Sequence, residues 1–498
     1  MINNDYTQIK SKHIQDQPFD KNTSYFDLDK ATVFLKRFKL CFSNQFSVFH
    51  LDIRSITKNF EELKILLFNL NFNFSLICLT ESWILDTSFY QNSNFILPNY
   101  KAICFERKSL KTGGGICVYV LEEFTYRIRY DLSFSEPDFE SFTIEIYNKP
   151  SKNIIVTTSY RPPNGSLNNF KNHLNDYFEI ACKKKKDSSF LFVGDFNVDY
   201  LKYNENIKIQ QFYNRFNEFG MVPIIKKPTR ITQNCYSAID NIFTNTLFHS
   251  IFKSGIIRSD MSDHFPVFAI FKKPKNILKK NSFLKKRIFT TQAKNMFKLE
   301  LSSINWNFVY LETCANKSYN LFLNEFLNLY VKHFPNKTNR IKTKRLLNPW
   351  FSKNLLKCSK RKQKLYIRFI KSKKDRDKHN YLNHKLLYKR TEKIARTTYF
   401  KNKLLSLKSN GKKTWDAIKE ILGKQKIHNK VLPSVITVDD TQISDGKSVA
   451  TKFNEFFVNI GPNLASKIKH TPVHFSNLSK SDKNLEFKNS LVKNLRIR

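Results

Sequence analysis

From Phe46 to Phe271 the chain repeats one texture: short apolar runs, rich in β-branched and aromatic residues, closed off by Asn, Ser, Gly or Pro. FSVFHLDI, SLICLTES, GICVYV, SFTIEIY, NIIVTTSY, SFLFVGDF, SAIDNIFTN and HFPVFAIF follow one another, each of strand length. Helical spacing appears between some of them. Residues 57–70 (TKNFEELKILLFNL) open on a Thr suited to an N-cap and place Phe60, Leu63, Leu66 and Leu67 on one face. Residues 166–182 and 206–219 have the same character. Strands that outnumber helices, without strict alternation, predict an α/β domain over 43–273 in which two sheets carry helices outside.

Beyond about Lys272 the strand texture stops and Lys-rich helical text begins. Residues 274–340 read as a linker with helices, and 341–465 as a basic helical region. There Leu365 and Phe369, then Leu387 and Ile394, recur at helical spacing among Lys and Arg. A short helix carries Trp415, Ile418 and Leu422 on one stripe. A hairpin-like piece follows near 432–444, then a helix near 446–460 that gathers Phe453, Phe456, Phe457 and Ile460. Residues 1–42, polar and Asn-rich, read as a leader, and 466–498 as a polar tail.

Charge sharpens this division. The 498 residues, enough for two or three domains, carry a net charge of +43. Residues 1–275 hold 35 Lys/Arg against 28 Asp/Glu, a net +7, while 276–498 hold 50 against 14, a net +36. The front is charged like an ordinary globular domain and the back like a binder of polyanions, with nucleic acid as the expected partner. The eight cysteines include no CxxC pair, which argues against zinc-ribbon or redox chemistry and suits a reducing compartment. The start has no apolar run resembling a signal peptide, and no stretch approaches the ~20 apolar residues of a membrane span. The expectation is a soluble intracellular protein, nuclear or cytoplasmic, without a membrane partner.

Candidate chemistry sits at the ends of the apolar runs. A carboxylate at the end of a buried strand is costly unless it meets a cation, water or a partner. Glu81 ends LICLTES, Tyr160 and Arg161 precede a Pro-Pro turn, Asp195 and Asn197 follow Gly194, Asp240 lies in SAIDNIFTN, and Asp263 and His264 stand directly before a strand. Hard oxygen ligands of this kind suit Mg2+ or Mn2+, and an Asp beside a His suits an imidazole oriented toward phosphate. Singly, each has a plain structural reading: a capped Glu, an Asx-type turn at 195–197, a turn before a strand at 262–264. Gly113–Gly115 reads as a tight turn opening a strand rather than a phosphate cradle, Lys183–Lys186 as a solvated loop, and the aromatics among the basic helices as core packing rather than base stacking.

Taken in order, the set resembles the endonuclease–exonuclease–phosphatase superfamily, which includes apurinic endonucleases and DNase I-like enzymes. HLDIRSITKNFEEL, LTESW, YRPPN, GDFN, SAIDNIFTN and SDHFP are similar to the endonuclease domain of jockey-like non-LTR (LINE-type) retrotransposon polyproteins, over about Phe46 to Phe271. NPWF at 348–351, KKTWDAIKEILG at 412–423 and FNEFFVNIGPNL at 453–464 resemble the stretch joining endonuclease to reverse transcriptase there.

The resemblance implies a DNase I-like four-layer sandwich of two mixed sheets flanked by helices, followed by a basic, mostly helical region. It implies a Mg2+- or Mn2+-dependent DNA endonuclease that nicks a strand, with DNA and element RNA as partners. It makes Glu81 a metal ligand, with Asp52 beside it and Asp263 at the metal or water side. Tyr160 touches the scissile phosphate, Asp195 positions or deprotonates the attacking water, Asn197 holds the phosphate, Asp240 orients His264, and His264 stabilises the transition state. Asp52 stands where the family has Asn, giving a charge and no amide donor. No aromatic-x-Asp-Asp sequence is present, so a polymerase is not expected in this chain. Two other readings stay open: a nucleic-acid-binding relic without catalysis, and a same-fold enzyme on another phosphate ester.

Overall fold

The computed structural model describes residues 23–41, 45–84, 95–105, 113–147, 153–184, 188–232, 235–245, 252–272, 283–340, 347–407, 410–422, 436–438, 441–443 and 446–466. The chain divides into two compact units, Met1–Lys426 and Ile427–Arg498.

In the first unit the elements run β1 (Thr23–Phe26), α1 (Leu28–Cys41), β2 (Gln45–Asp52), α2 (Ile56–Leu70), β3 (Leu76–Thr80), β4 (Tyr100–Phe105), β5 (Ile116–Leu121), β6 (Tyr126–Ile128), β7 (Phe134–Glu136), β8 (Phe139–Ile146) and β9 (Ile154–Tyr160). They continue with α3 (Leu167–Lys184), β10 (Ser189–Asp195), α4 (Ile207–Glu218), β11 (Met221–Pro223), β12 (Arg230–Ile231), β13 (Tyr236–Ser237), β14 (Asp240–Asn245), β15 (Phe252–Ile257) and β16 (Val267–Lys272). One seven-stranded sheet has the order β1-β15-β16-β2-β3-β5-β4; the other is β11-β14-β10-β9-β8-β6, with β7 also on β8. Both are mixed: β1–β15, β2–β3 and β9–β10 pair in parallel and their neighbours antiparallel. This is the α/β four-layer sandwich of two mixed sheets flanked by helices that the sequence implied.

The alternation of strand side chains builds the layers. Phe46 and Val48 of β2, Leu76 and Cys78 of β3, Ile154 and Val156 of β9, and Leu191 and Val193 of β10 form one core between the sheets. The opposite parity packs outward: Phe49, Leu51, Ile77 and Leu79 meet α1 and α2, while Ile155, Phe190, Phe192 and Phe243 meet α3 and α4. Phe60, Leu63, Leu66 and Leu67 of α2 are all buried, as their spacing predicts. Following inward parity along each strand leads out of the apolar core: 46, 48, 50, 52 reads Phe, Val, His, Asp, and 191, 193, 195 reads Leu, Val, Asp. One end of the inter-sheet space is therefore polar and buried.

Three expectations change. The leader over 1–42 does not hold for 23–41: β1 pairs with β15, and Leu28, Ala31, Leu35 and Phe38 bury one face of α1 against the first sheet. Residues 1–22 lie outside the described residues, as do 467–498 of the expected tail. Strands do not stop at Lys272, because β17 (Phe283–Arg287) pairs with β18 (Asn336–Arg340). Between them lie α5 (Thr291–Ser303), α6 (Asn307–Tyr310) and α7 (Ala315–His333), where Phe297 packs against Phe326 and Phe334. The basic region over 341–465 is not one body. Its helices α8 (Lys353–Ser372), α9 (Asp375–Ser406) and α10 (Gly411–Ile421) belong to the first unit. The second unit holds the expected hairpin, β19 (Ile436–Val438) and β20 (Thr441–Ile443), and the helix α11 (Gly446–Ala465). No described helix is long and apolar enough to cross a membrane.

Gly194 in β10 shows how tightly the polar end is drawn together. A Cβ there would lie 1.7 Å from the carbonyl oxygen of Ser159, its register partner in β9. Gly194→Ala is expected to lower the unfolding free energy by about 3 kcal/mol or more, measured by urea denaturation; a loss too small to resolve would contradict this packing.

Candidate active site

Sheet register assembles the site. β9, β10 and β14 are adjacent, and their pairing sets Asp195 beside Tyr160 on one side and Asp240 on the other. In the other sheet the parallel pair β2–β3 sets Asp52 beside Thr80, one residue before Glu81. The loop between β15 and β16 brings Asp263 and His264.

Asp240 is fully enclosed and saturated with partners. His264 Nδ1 lies 3.0 Å from Oδ2 and 3.2 Å from Oδ1. Thr229 Oγ1 donates to Oδ2 at 2.6 Å, and His50 Nε2 lies 3.2 Å from Oδ1. Burial would raise the Asp240 carboxyl, but the charge of His264 and the hydrogen bonds of both imidazoles together hold it below the usual carboxylate range. Burial likewise opposes protonation of His264, and Asp240, Asp195 and Asp52 overcome it, raising the imidazole well above its ordinary value. With Nδ1 committed to Asp240, Nε2 is the His264 nitrogen left to meet a substrate oxygen.

Asp195 sits next to this pair. Its Oδ1 accepts from the backbone N–H of Asn197 at 3.0 Å and its Oδ2 from Asn197 Nδ2 at 3.0 Å, an Asx-type turn that coexists with the site. Asn197 adopts φ 50°, a left-handed conformation that Asn tolerates. The buried Arg161 guanidinium donates to the carbonyls of Phe196, Asn197 and Gly165, which pins the GDFN turn. Burial, then the nearby Asp240, push the Asp195 carboxyl up to about 7.

Tyr160 donates its hydroxyl proton to Glu81 Oε1 at 2.6 Å, and burial followed by the Glu81 charge keeps the phenol protonated. Glu81, at φ 48°, lies just beyond β3. Asp52 accepts from Thr80 Oγ1 at its Oδ2, 3.1 Å. Its Oδ1 is buried and has no hydrogen-bond partner among the described residues. Burial raises the Asp52 carboxyl well above its ordinary value; Glu81, Asp195 and Asp240 add to the rise, and His264 opposes it. Asp263 meets this group through Arg54, whose Nε is 3.0 Å from its Oδ1 and 3.7 Å from Glu81 Oε2, and Arg230 Nε donates to its Oδ2 at 2.9 Å.

Asp195, Asp240 and His264 can each bring a ligand atom within 4.8 Å of the others. Asp240, however, already spends both oxygens on His264, His50 and Thr229. The residues better suited to a hard divalent cation are Asp52, with an unpartnered buried oxygen, and Glu81 nearby, both oxygen donors.

The sequence reading passed over four contributors. His50 shares inward parity with Asp52, a signal present in HLD. Thr229 and Arg54 lie in loops and Arg230 opens β12; all three meet the site only through the fold. The Gly113–Gly115 turn opens β5 as expected. Gly115 N–H donates to Glu140 at 2.6 Å, and the carbonyls of Gly115 and Gly114 accept from Ser82 and Trp83, so the turn supports the Glu81 loop.

Comparison with known proteins meets this geometry over the site-bearing strands. Residues 154–268 match the family model described as endonuclease-reverse transcriptase. No curated protein matches the chain. Among solved structures, an AP endonuclease from Leishmania major is 13% identical with TM-score 0.41, covering 47% of this chain and 89% of its own. The endonuclease domain of TRAS1, a telomere-specific non-LTR retrotransposon, is 12% identical with TM-score 0.37, covering 46% of this chain and 100% of its own. An AP endonuclease from Archaeoglobus fulgidus is 15% identical with TM-score 0.35, covering 45% and 99%.

Two stability measurements probe the electrostatics. The folded Asp52 carboxyl is raised, so its ionised form costs stability above its ordinary value of 3.8. Asp52→Asn should therefore stabilise the metal-free protein at neutral pH, by about 1–3 kcal/mol, and diminish any rise in melting temperature on adding Mn2+; a destabilised metal-free variant would contradict the unpartnered oxygen. The folded His264 is raised, so its contribution is complete below its ordinary value of 6.5 and fades as pH rises through the raised value. His264→Gln should cost about 3 kcal/mol or more near pH 6 and less toward pH 9; a cost that grows with pH would contradict the pairing with Asp240.

Proposed function

We propose that this chain is a metal-dependent phosphodiesterase that nicks DNA, an endonuclease of the jockey-like non-LTR retrotransposon type. The observation that carries the reading is the buried Asp240–His264 pair facing Asp195 and Asn197 at the polar end of the sandwich, with Tyr160, Glu81 and the unpartnered Asp52 oxygen beside them. The family-model match over 154–268 and its description support the same reading.

In-line hydrolysis of a phosphodiester needs an oriented water and donors on the developing charge. Asp195 accepts a proton from the attacking water; Asn197 holds its carboxylate in place, and Arg161 pins the turn that carries Asn197. His264, oriented through Nδ1 by Asp240, presents Nε2 to a non-bridging oxygen. Tyr160 stays protonated and offers its hydroxyl to the phosphate when Glu81 releases it. A divalent cation, Mg2+ or Mn2+, held by Asp52 and Glu81 would supply Lewis acidity and balance the carboxylates. Asp263, tied to Arg54 and Arg230, shapes the cationic rim where a phosphate backbone approaches.

The basic helices supply the rest of a nucleic-acid surface. Lys353, Lys357, Lys360, Arg361, Lys364 and Arg368 of α8 are exposed, suited to the phosphates of DNA or of element RNA.

A supercoiled-plasmid assay with Mg2+ or Mn2+ tests the reading. The parent chain is expected to nick, EDTA to abolish nicking, and His264→Ala to slow it by about 10²–10³-fold. An intact plasmid with either metal, or a His264→Ala variant as fast as the parent, would overturn it.

A further inference from the structure

The helical hairpin α8–α9 packs onto the sandwich along α2, where Leu355 and Tyr388 cluster with Ile65, and against the loop that carries Asp263 and His264. Lys362 of α8 is 2% exposed. Its Nζ lies 2.7 Å from Glu62 Oε1, on α2, and 3.2 Å from Asp260 Oδ2, three residues before Asp263. Tyr381 of α9 donates its hydroxyl to the same Asp260 oxygen at 3.1 Å. Tyr366 meets the ring of Phe265 edge-on, and the Gln363 amide donates to the Arg258 carbonyl. The loop over 258–265 is thus held at three points by the hairpin. On its other side Ser262 Oγ lies 2.8 Å from the Asp52 carbonyl, to which it donates, and Thr229 O accepts from Phe265 N at 2.7 Å.

Surface lysines on a basic helix keep their ammonium in water. Lys362 does the opposite: it gives up hydration to stand between two carboxylates from separate segments, with the Tyr388 ring 4.7 Å away. Burial would lower the ammonium, and Asp260 and Glu62 more than offset it. Both segments bear on the site. The turn before α2 carries Arg54, which pairs with Asp263 and lies 3.7 Å from Glu81 Oε2; the other carries Asp263 and His264.

We propose that Lys362 is a positioning residue for the phosphodiester site, clamping the 258–265 loop to α2 so that His264 keeps its alignment with Asp240. The hairpin is then part of the nuclease rather than a spacer behind it. Its kinetic consequence rests on the phosphodiesterase reading above; its effect on the loop does not.

The test uses the full chain, with Lys362→Met and the triple variant Glu62→Gln/Asp260→Asn/Lys362→Met, in which the cluster carries no charge. Two things are measured: steady-state plasmid nicking with Mn2+, and amide hydrogen exchange of peptides spanning 258–265. Lys362→Met is expected to lower kcat by about 10–100-fold, with KM and its salt dependence unchanged, and to speed exchange in 258–265. The triple variant, relieved of the two facing carboxylates, should regain thermal stability while kcat stays low and exchange stays fast. An unchanged kcat in Lys362→Met, or a kcat that recovers with melting temperature in the triple variant, would overturn the clamp. A parent chain that does not nick overturns the phosphodiesterase reading instead; exchange then decides, with faster exchange in both variants supporting the clamp and unaltered exchange overturning it.

Discussion

The buried carboxylate of Asp240 is the constraint on which the site depends. It starts β14 in one sheet and meets His50 from β2 in the other, His264 from the β15–β16 loop, and Thr229 from the segment before β12. A charge in this setting is strongly destabilising unless its partners are close and its lone pairs are filled. Meeting that requirement fixes how the two sheets face each other at their polar end. Asp195 inherits its place from register with β14, Tyr160 from register with Asp195 in β10, and Asp52 from sharing β2 with His50.

The same strands serve two opposed ends. Inward residues are apolar through most of their length and make the core; the last one or two turn polar and make the site. The apolar part gives the rigidity that holds a costly cluster together. The cluster remains out of balance in negative charge. Burial raises the carboxyls of both Asp52 and Asp195, while Arg230 pairs with Asp263 and Arg54 is shared between Asp263 and Glu81. An imbalance of this kind costs folding stability and is the mark of a candidate functional site.

Much of this was legible in the chain because strand alternation and strand-end polarity are local signals. Tyr160, Asp195, Asp240 and His264 announce themselves as polar residues closing or opening apolar runs, and the structure gathers them. His50 was legible in principle, two residues before Asp52 and therefore on its face, yet an isolated His inside a strand reads as core. Thr229 and Arg54 had no such signal. The first strand and helix were missed because Leu28, Ala31, Leu35 and Phe38 are set among Lys and Arg, which make the segment look polar overall. β15 was missed because Lys253, Ser254 and Gly255 interrupt its apolar run. The docking of α8–α9 could not be read at all. Periodicity identifies the buried face of a helix and leaves its partner open, and Lys362 looks like any other lysine in a basic stretch.

We propose that the polar end of the sandwich is a cation-dependent seat of phosphodiester cleavage, with the unpartnered Asp52 oxygen and Glu81 as the ligands. Anomalous scattering from crystals of the full chain grown with Mn2+ tests it most directly. The account predicts a peak about 2.1 Å from Asp52 Oδ1 and within coordination distance of Glu81, with Asp240 still bonded to His264. A peak seated on Asp240 and His264, or none at this end of the sheets, would contradict it.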